Sequence, residues 1–151
     1  MKQIYTYGNY LRDKFGAKVH KVGINVSGFT CPNIDGTVAK GGCTFCENDS
    51  FSASANEVKK LKGFYLNLDS TQNPYLDKQL KQLEFQFDAI SKRQAREYGA
   101  EKFLVYFQSF TNTYAPFETL KALYEKALSF DNVVGLSIGT RSDSITDETL
   151  E

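Results

Sequence analysis

Apolar and polar positions alternate along this chain in two rhythms, and the rhythms predict its elements. Between Lys18 and Ser27, Val19, Lys21, Gly23 and Asn25 alternate with His20, Val22, Ile24 and Val26. Strand side chains point to opposite faces in turn, so this run predicts a first strand whose more apolar second set meets a core. Lys102 to Ser109 holds the unbroken apolar run Phe103-Leu-Val-Tyr-Phe107, which predicts a buried strand. Asn132 to Ile138 predicts a third.

The second rhythm is helical. From Tyr75 to Tyr98, Leu76, Leu80, Leu83, Phe87, Ile90 and Tyr98 fall near one face, with Lys92, Arg93 and Arg96 on a solvated one. Gly99 suits the residue after the helix end. Pro116 opens a second helix running to Ser129, with Leu120, Leu123, Tyr124, Ala127 and Leu128 on its apolar side. A shorter helix spans Tyr7 to Phe15, stopped by Gly16. Another begins after Thr146, where Asp147 and Glu148 match the positive end of the helix dipole. Residues 47 to 75 are polar and predict a loop, with a turn of helix around 56 to 61.

Strand, helix, strand, helix, strand, helix is the order of an α/β fold with parallel strands and helical crossovers. Sites in such folds lie at the C-terminal ends of the strands. Here the three strand ends run into the loop from Cys31 to Cys46, Gln108-Ser-Phe-Thr-Asn-Thr113, and Gly139-Thr-Arg-Ser-Asp143. The three loops are expected to converge on one mouth.

Composition narrows the function classes. A chain of 151 residues with 41% hydrophobic content can bury one core. Its 18 basic and 18 acidic residues balance, which removes any global electrostatic argument for nucleic acid or a membrane surface. The start, Met1-Lys-Gln-Ile-Tyr-Thr-Tyr7, lacks a signal peptide's apolar core, and no apolar run is long enough to span a bilayer. Free thiols without a secretory signal point to a cytoplasmic protein.

All three cysteines, Cys31, Cys43 and Cys46, fall in one stretch spaced C-x11-C-x2-C, with Gly36, Gly41 and Gly42 between the first two. Three thiolates at one strand end suit a 4Fe–4S cluster with one iron left open. Backbone N–H groups in a Gly-rich loop can point at sulfide and thiolate charge. Two other readings stand beside it. Two of the cysteines could pair, or Cys31, Cys43 and Cys46 could join His20 in a non-catalytic Cys3His zinc module supporting the fold.

Four stretches carry a resemblance to a known family. They are Gly28-Phe-Thr-Cys-Pro-Asn-Ile-Asp-Gly-Thr37, Gly41-Gly-Cys-Thr-Phe-Cys46, Tyr106-Phe-Gln-Ser-Phe-Thr-Asn-Thr-Tyr-Ala-Pro116 and Val134-Gly-Leu-Ser-Ile-Gly-Thr-Arg141. With them the chain resembles the radical S-adenosylmethionine (SAM) superfamily, and more narrowly its bacterial branch related to the elongator catalytic subunit. Most of that superfamily spaces its cysteines C-x3-C-x2-C; the longer first gap is typical of this branch.

The resemblance implies the N-terminal part of a partial (β/α)6 TIM-like barrel, with parallel strands at about 19–27, 102–109 and 132–138. Relatives of this kind are longer, so residues 1–151 are expected to form an incomplete core domain whose C-terminal part is absent, not competent alone. It further implies that Cys31, Cys43 and Cys46 bind a 4Fe–4S cluster whose fourth iron takes SAM. One electron, from a reductant such as flavodoxin or ferredoxin, would cleave SAM to methionine and a 5′-deoxyadenosyl radical. Gln108, Thr111 and Asn112 would hydrogen-bond the methionine end, and Ser137, Thr140 and Arg141 would lie near the ribose or substrate. Turn and cap chemistry is the plainer reading of Thr111, Asn112 and Thr113. Elongator-type relatives act on transfer RNA, which makes a tRNA nucleoside the first substrate expectation. The branch usually continues Thr-Arg-Pro-Asp-Cys after the third strand; this chain has Thr140-Arg-Ser-Asp-Ser144, losing a proline at Ser142 and a thiol at Ser144.

Overall fold

The structure is a computed structural model that describes residues 4–44 and 64–150. Cys46 and the helical turn expected around 56 to 61 lie outside the described residues. Along the chain come α1 (Tyr7–Phe15), β1 (Val19–Ile24), α2 (Pro32–Asp35), α3 (Leu76–Tyr98), β2 (Lys102–Phe107), α4 (Phe117–Leu128), β3 (Val133–Ile138), a 3-10 turn (Ser142–Ser144) and α5 (Asp147–Leu150). Residues 64 to 75 are loop, as their turn chemistry predicts.

The three strands are parallel and stand in the order β1-β2-β3. Val22 faces Val105 and Ile24 faces Phe107 across the first pair; Val105 faces Leu136 and Phe107 faces Ile138 across the second. Both long helices lie on one face. Val22, Ile24, Phe103, Val105 and Phe107, with Leu136 and Ile138, form one core with Leu83 and Phe87 of α3 and Leu120, Leu123 and Ala127 of α4. Sequential parallel strands with connecting helices on a single side are the winding of barrel-type α/β folds. The described sheet has three strands and is not a closed barrel. No helix among the described residues is long and apolar enough to cross a membrane.

The other face presents Lys21 and Gly23, Leu104 and Tyr106, and Gly135 and Ser137 in register. α1 packs beside it: Lys21 Nζ stands 5.5 Å from the centre of the Tyr7 ring and 5.1 Å from that of Tyr106. α1 is bounded as its sequence predicts, by the Thr6 side chain accepting from Asn9 N and by Gly16 in the left-handed conformation.

Two strands are shorter than expected, and each for a physical reason. β1 stops at Ile24 rather than Ser27 because its pairing partner β2 ends opposite it at Phe107, and beyond that point glutamines of α3 take up the backbone groups. Gln86 accepts from Asn25 N at 3.0 Å and donates to Asn25 O at 2.9 Å. Gln82 accepts from Ser27 N, and Gln79 donates to Ser27 O at 2.7 Å. Gln94 extends the row, donating to Lys21 O at 2.7 Å. Ile24 O accepts from Gln108 N on the β2 side. Strand carbonyls alternate sides, so those of Lys21 and Asn25 point away from β2. The glutamine row therefore occupies the outer edge of β1, a position that would otherwise expose unpaired backbone groups. β2 stops at Phe107 rather than Ser109 because Ser109 and Phe110 turn to positive φ, 68° and 60°.

The helical stripes hold in outline and miss at their ends. Tyr98 and Leu128 are exposed, while Gln79 and Gln86, outside the apolar stripe, are buried at 0% and 3%. Pro116 caps α4 from just outside its first turn instead of opening it. Lys92 pairs with Asp88 and Arg96 with Glu97 on the exposed side of α3, the solvated face expected there.

Candidate functional site

The cysteine loop is more ordered than a Gly-rich stretch predicts. Cys31 precedes α2, and its carbonyl accepts from Ile34 N at 2.8 Å and Asp35 N at 3.1 Å. Pro32 suits the first helical position, where no amide hydrogen is needed. Gly36 ends the turn at φ 98°, a conformation costly to any residue with a Cβ. The chain then folds back: Val38 N donates to Pro32 O, and Gly42 N donates to Asn33 O at 2.8 Å. The long x11 gap is thus a compact excursion that returns Cys43 to the side of α2.

Both described cysteines are free thiols, Cys31 buried and Cys43 half-buried. Each faces a nitrogen donor. Asn33 Nδ2 lies 3.1 Å from Cys43 Sγ, and Arg141 Nη1 lies 3.9 Å from Cys31 Sγ. Asn33 lies two residues after Cys31, and no reading of the sequence gave it a role at the site. Arg141 is gripped by Asp143, whose Oδ1 accepts from Nε at 2.8 Å. That hydrogen bond, with the attraction behind it, holds the Asp143 carboxyl below its ordinary range and raises the guanidinium further.

The loops after β2 and β3 meet the cysteine loop, as expected. Thr111 N donates to Thr30 O at 3.1 Å, Asn112 N to Gly139 O at 3.0 Å, and Gly139 N to Phe107 O at 2.9 Å. Thr37 and Tyr114 hydroxyls stand 2.9 Å apart, adding a fourth tie. The mouth is therefore one hydrogen-bonded unit at the C-terminal ends of the strands.

Within it the expected site residues fall into two groups. Gln108 and Ser137 stand at the open sheet face. The Gln108 amide lies over Gly23, where an added Cβ would come within 3.0 Å of Nε2. Thr111, Asn112, Thr140 and Arg141 serve the loops. Asn112 is buried, and its Nδ2 donates to the carbonyls of Phe107, Ser109 and Gly139 at 3.3, 3.1 and 2.9 Å. Its own carbonyl accepts from Tyr124 OH at 2.6 Å. Burial pushes that Tyr124 hydroxyl well above its ordinary range. Thr140 Oγ1 meets Thr113 Oγ1, and Thr113 Oγ1 donates to the Ser144 carbonyl. Thr111 O also accepts from Tyr114 N at 3.0 Å, so Thr111, Asn112 and Thr113 make a turn here. Ser144 is buried in the 3-10 turn.

His20 sits away from all of this. It stacks on Tyr98 at 5.5 Å, four residues before β1 ends, roughly 13 Å along a strand. Among the described residues no group of three or more His, Cys, Asp or Glu could hold a metal, although His20, Cys31 and Cys43 are all described. A Cys3His site built with His20 finds no support in this placement.

The fold and site define an α/β protein whose parallel strands end at a thiol-bearing mouth. The chain is 38% identical over 150 residues to the uncharacterized protein YtqA of Bacillus subtilis, covering 99% of this chain and 40% of that protein. It is 33% identical to the protein YhcC of Escherichia coli over the same shares. An uncharacterized protein of Methanocaldococcus jannaschii is 34% identical over 145 residues, 96% of this chain and 37% of the other. The chain thus spans less than half the length of these relatives. No protein-family model and no solved structure matches it.

Proposed function

We propose that this chain is the cluster-bearing part of a radical SAM enzyme, the N-terminal strands of a partial TIM-like barrel. The observation that carries the reading is the pair of free thiols, Cys31 and Cys43, each faced by a nitrogen donor, at the mouth where three strand-end loops meet. Thiolate with nearby N–H donors is the donor chemistry that iron–sulfur clusters take. Cys31, Cys43 and Cys46 would hold a 4Fe–4S cluster, leaving one iron for SAM. When bound, the cluster supplies the electron that cleaves SAM to a 5′-deoxyadenosyl radical.

The chain's own residues do the placing. Asn33 and Gly42 fold the excursion so that Cys43 returns to the side of α2. Asn112 locks the loops after β2 and β3 to each other. Gln108 and Ser137 are left on the open sheet face, where their polar atoms would meet SAM or substrate; Thr111, Thr140 and Arg141 frame the mouth. A tRNA nucleoside is the substrate class proposed by analogy, with a flavodoxin or ferredoxin as electron donor in the cytoplasm.

Anaerobic reconstitution with iron and sulfide tests the reading. The expected result is a brown protein with iron and sulfide in 4Fe–4S proportion, lost in each of Cys31→Ala, Cys43→Ala and Cys46→Ala. Full loading of Cys43→Ala at wild-type stability, or a colourless zinc protein, would overturn it.

A further inference from the structure

We infer that Asn33 is a positioning residue for Cys43, donating a hydrogen bond to the ligand sulfur that favours the reduced cluster, with Arg141 in the same role at Cys31. The inference rests on the cluster reading proposed above and goes beyond its ligand set. Asn33 is tied to the Gly42–Cys43 segment twice. Its backbone carbonyl accepts from Gly42 N at 2.8 Å, and its side-chain Nδ2 lies 3.1 Å from Cys43 Sγ. The backbone tie alone is enough to fold the loop back. The side chain adds a specific contact between a donor and a sulfur. A thiolate only accepts, so a ligand sulfur selects the N–H side of the amide and leaves the carbonyl oxygen pointing away. That oxygen, Asn33 Oδ1, is buried with no partner among the described residues. An amide that leaves its own oxygen unsatisfied to aim its N–H at sulfur is oriented for the sulfur.

Arg141 repeats the pattern at longer range. Asp143 holds the guanidinium through Nε and Nη2, which leaves Nη1 toward Cys31 Sγ at 3.9 Å. Asp143 offsets much of the charge, so the contact acts mainly as an oriented donor. Two of the three expected ligands therefore each carry one outside N–H group. Hydrogen bonds to the sulfurs are among the levers that set an iron–sulfur potential, and outer partners of this kind orient and tune metal ligands. The reduced cluster carries one more negative charge than the oxidised one. Donors aimed at its sulfurs stabilise that form and raise the potential.

The test is a one-electron reductive titration, followed by electron paramagnetic resonance, of the reconstituted chain and its variants. Asn33→Leu removes the donor and keeps the backbone tie to Gly42. It should load iron and become about tenfold harder to reduce, a fall of about 59 mV for a one-electron couple. Arg141→Met should lower the potential less, and Arg141→Lys, which keeps a donor, should restore most of it. Should Asn33→Leu not load, the smaller Asn33→Ala decides, because it also lacks the donor, adds no charge, and should again be harder to reduce. Loaded variants with an unmoved potential overturn the inference while leaving the cluster reading intact. Failure of both Asn33 variants to load overturns tuning in favour of a purely structural role. A wild-type chain that takes up no iron marks a failure of the cluster reading itself.

Discussion

The side-chain amide of Asn112 donates to the carbonyl of Gly139 at 2.9 Å, joining the loop after β2 to the first residue of the loop after β3. The same nitrogen reaches the Phe107 and Ser109 carbonyls, so one buried group satisfies the frayed ends of two strands. It also brackets Ser109 and Phe110, two consecutive non-glycine residues at positive φ. Left-handed conformations cost such residues roughly 1–2 kcal/mol each and persist only where neighbours enforce them. Asn112→Ala should therefore destabilise the chain by about 1–3 kcal/mol, the cost of leaving buried polar groups unpaired. Denaturant unfolding measures it. Wild-type stability in Asn112→Ala would show that the loops are held by backbone bonds alone.

Gln86 carries the next prediction. It is 3% exposed and closes both backbone groups of Asn25 at the outer edge of β1. Gln86→Leu keeps the bulk and removes both hydrogen bonds, stranding one donor and one acceptor against α3. A loss of about 1–3 kcal/mol is expected, by the same cost of unpaired buried groups. Faster amide exchange at Asn25, read by hydrogen–deuterium exchange, should accompany it. Unchanged protection at Asn25 would mean the edge is covered by something other than the glutamine.

What was legible in the sequence followed from period. Val22, Ile24, Phe103, Val105 and Phe107 lie in the core that alternation and apolar runs mark out, and the convergence of three loops followed from parallel topology. The glutamine row was not legible. Gln79, Gln82 and Gln86 are spaced for one helical face, but a polar stripe at that spacing reads as solvent-facing, and only the docked edge of β1 makes it interior. The α2 turn was hidden too, because Pro32 to Asp35 is too short to carry a period and the glycines that follow it read as loop. Asn112 was singled out as a hydrogen-bonding residue, and its partners turned out to be three main-chain carbonyls, which no local pattern specifies.

The chain's one histidine allows a clean pH test. Burial, and then the nearby Lys18 charge, lower the His20 pKa below its ordinary 6.5. The folded chain then binds fewer protons than the unfolded chain between the folded value and 6.5. Stability should rise with pH across that window. Above 6.5 both states are neutral at His20 and the effect vanishes; below the folded value the full penalty applies. Proton NMR of the imidazole should titrate below 6.5, and His20→Gln should flatten this part of the stability profile. A titration above 6.5 would mean that stacking on Tyr98 protects the imidazolium instead.

Gly23 separates the role of Gln108 from the stability of the sheet. It lies on the face opposite α3 and α4, beside Tyr106 in register, with the Gln108 amide directly over it. A Cβ at Gly23 would stand 3.0 Å from Gln108 Nε2, 3.2 Å from its Cδ and 3.3 Å from its Oε1. The obstacle is the end of a flexible side chain, not backbone, so the sheet should accept Gly23→Ala with little loss of stability. Gln108 must move instead. If its amide meets the methionine end of SAM, displacing it removes roughly one hydrogen bond, about 0.5–1.5 kcal/mol of binding. That corresponds to a weakening of SAM affinity of about two- to tenfold. Gln108→Ala should weaken it to a similar degree, and the double variant Gly23→Ala/Gln108→Ala should be no worse than Gln108→Ala, since both changes act through one side chain. Isothermal titration of SAM into the iron-loaded chain, beside thermal melts, reads both quantities. Additive losses in the double variant would show that Gly23 matters by a route other than Gln108, and unchanged affinity in all three would remove Gln108 from the SAM site.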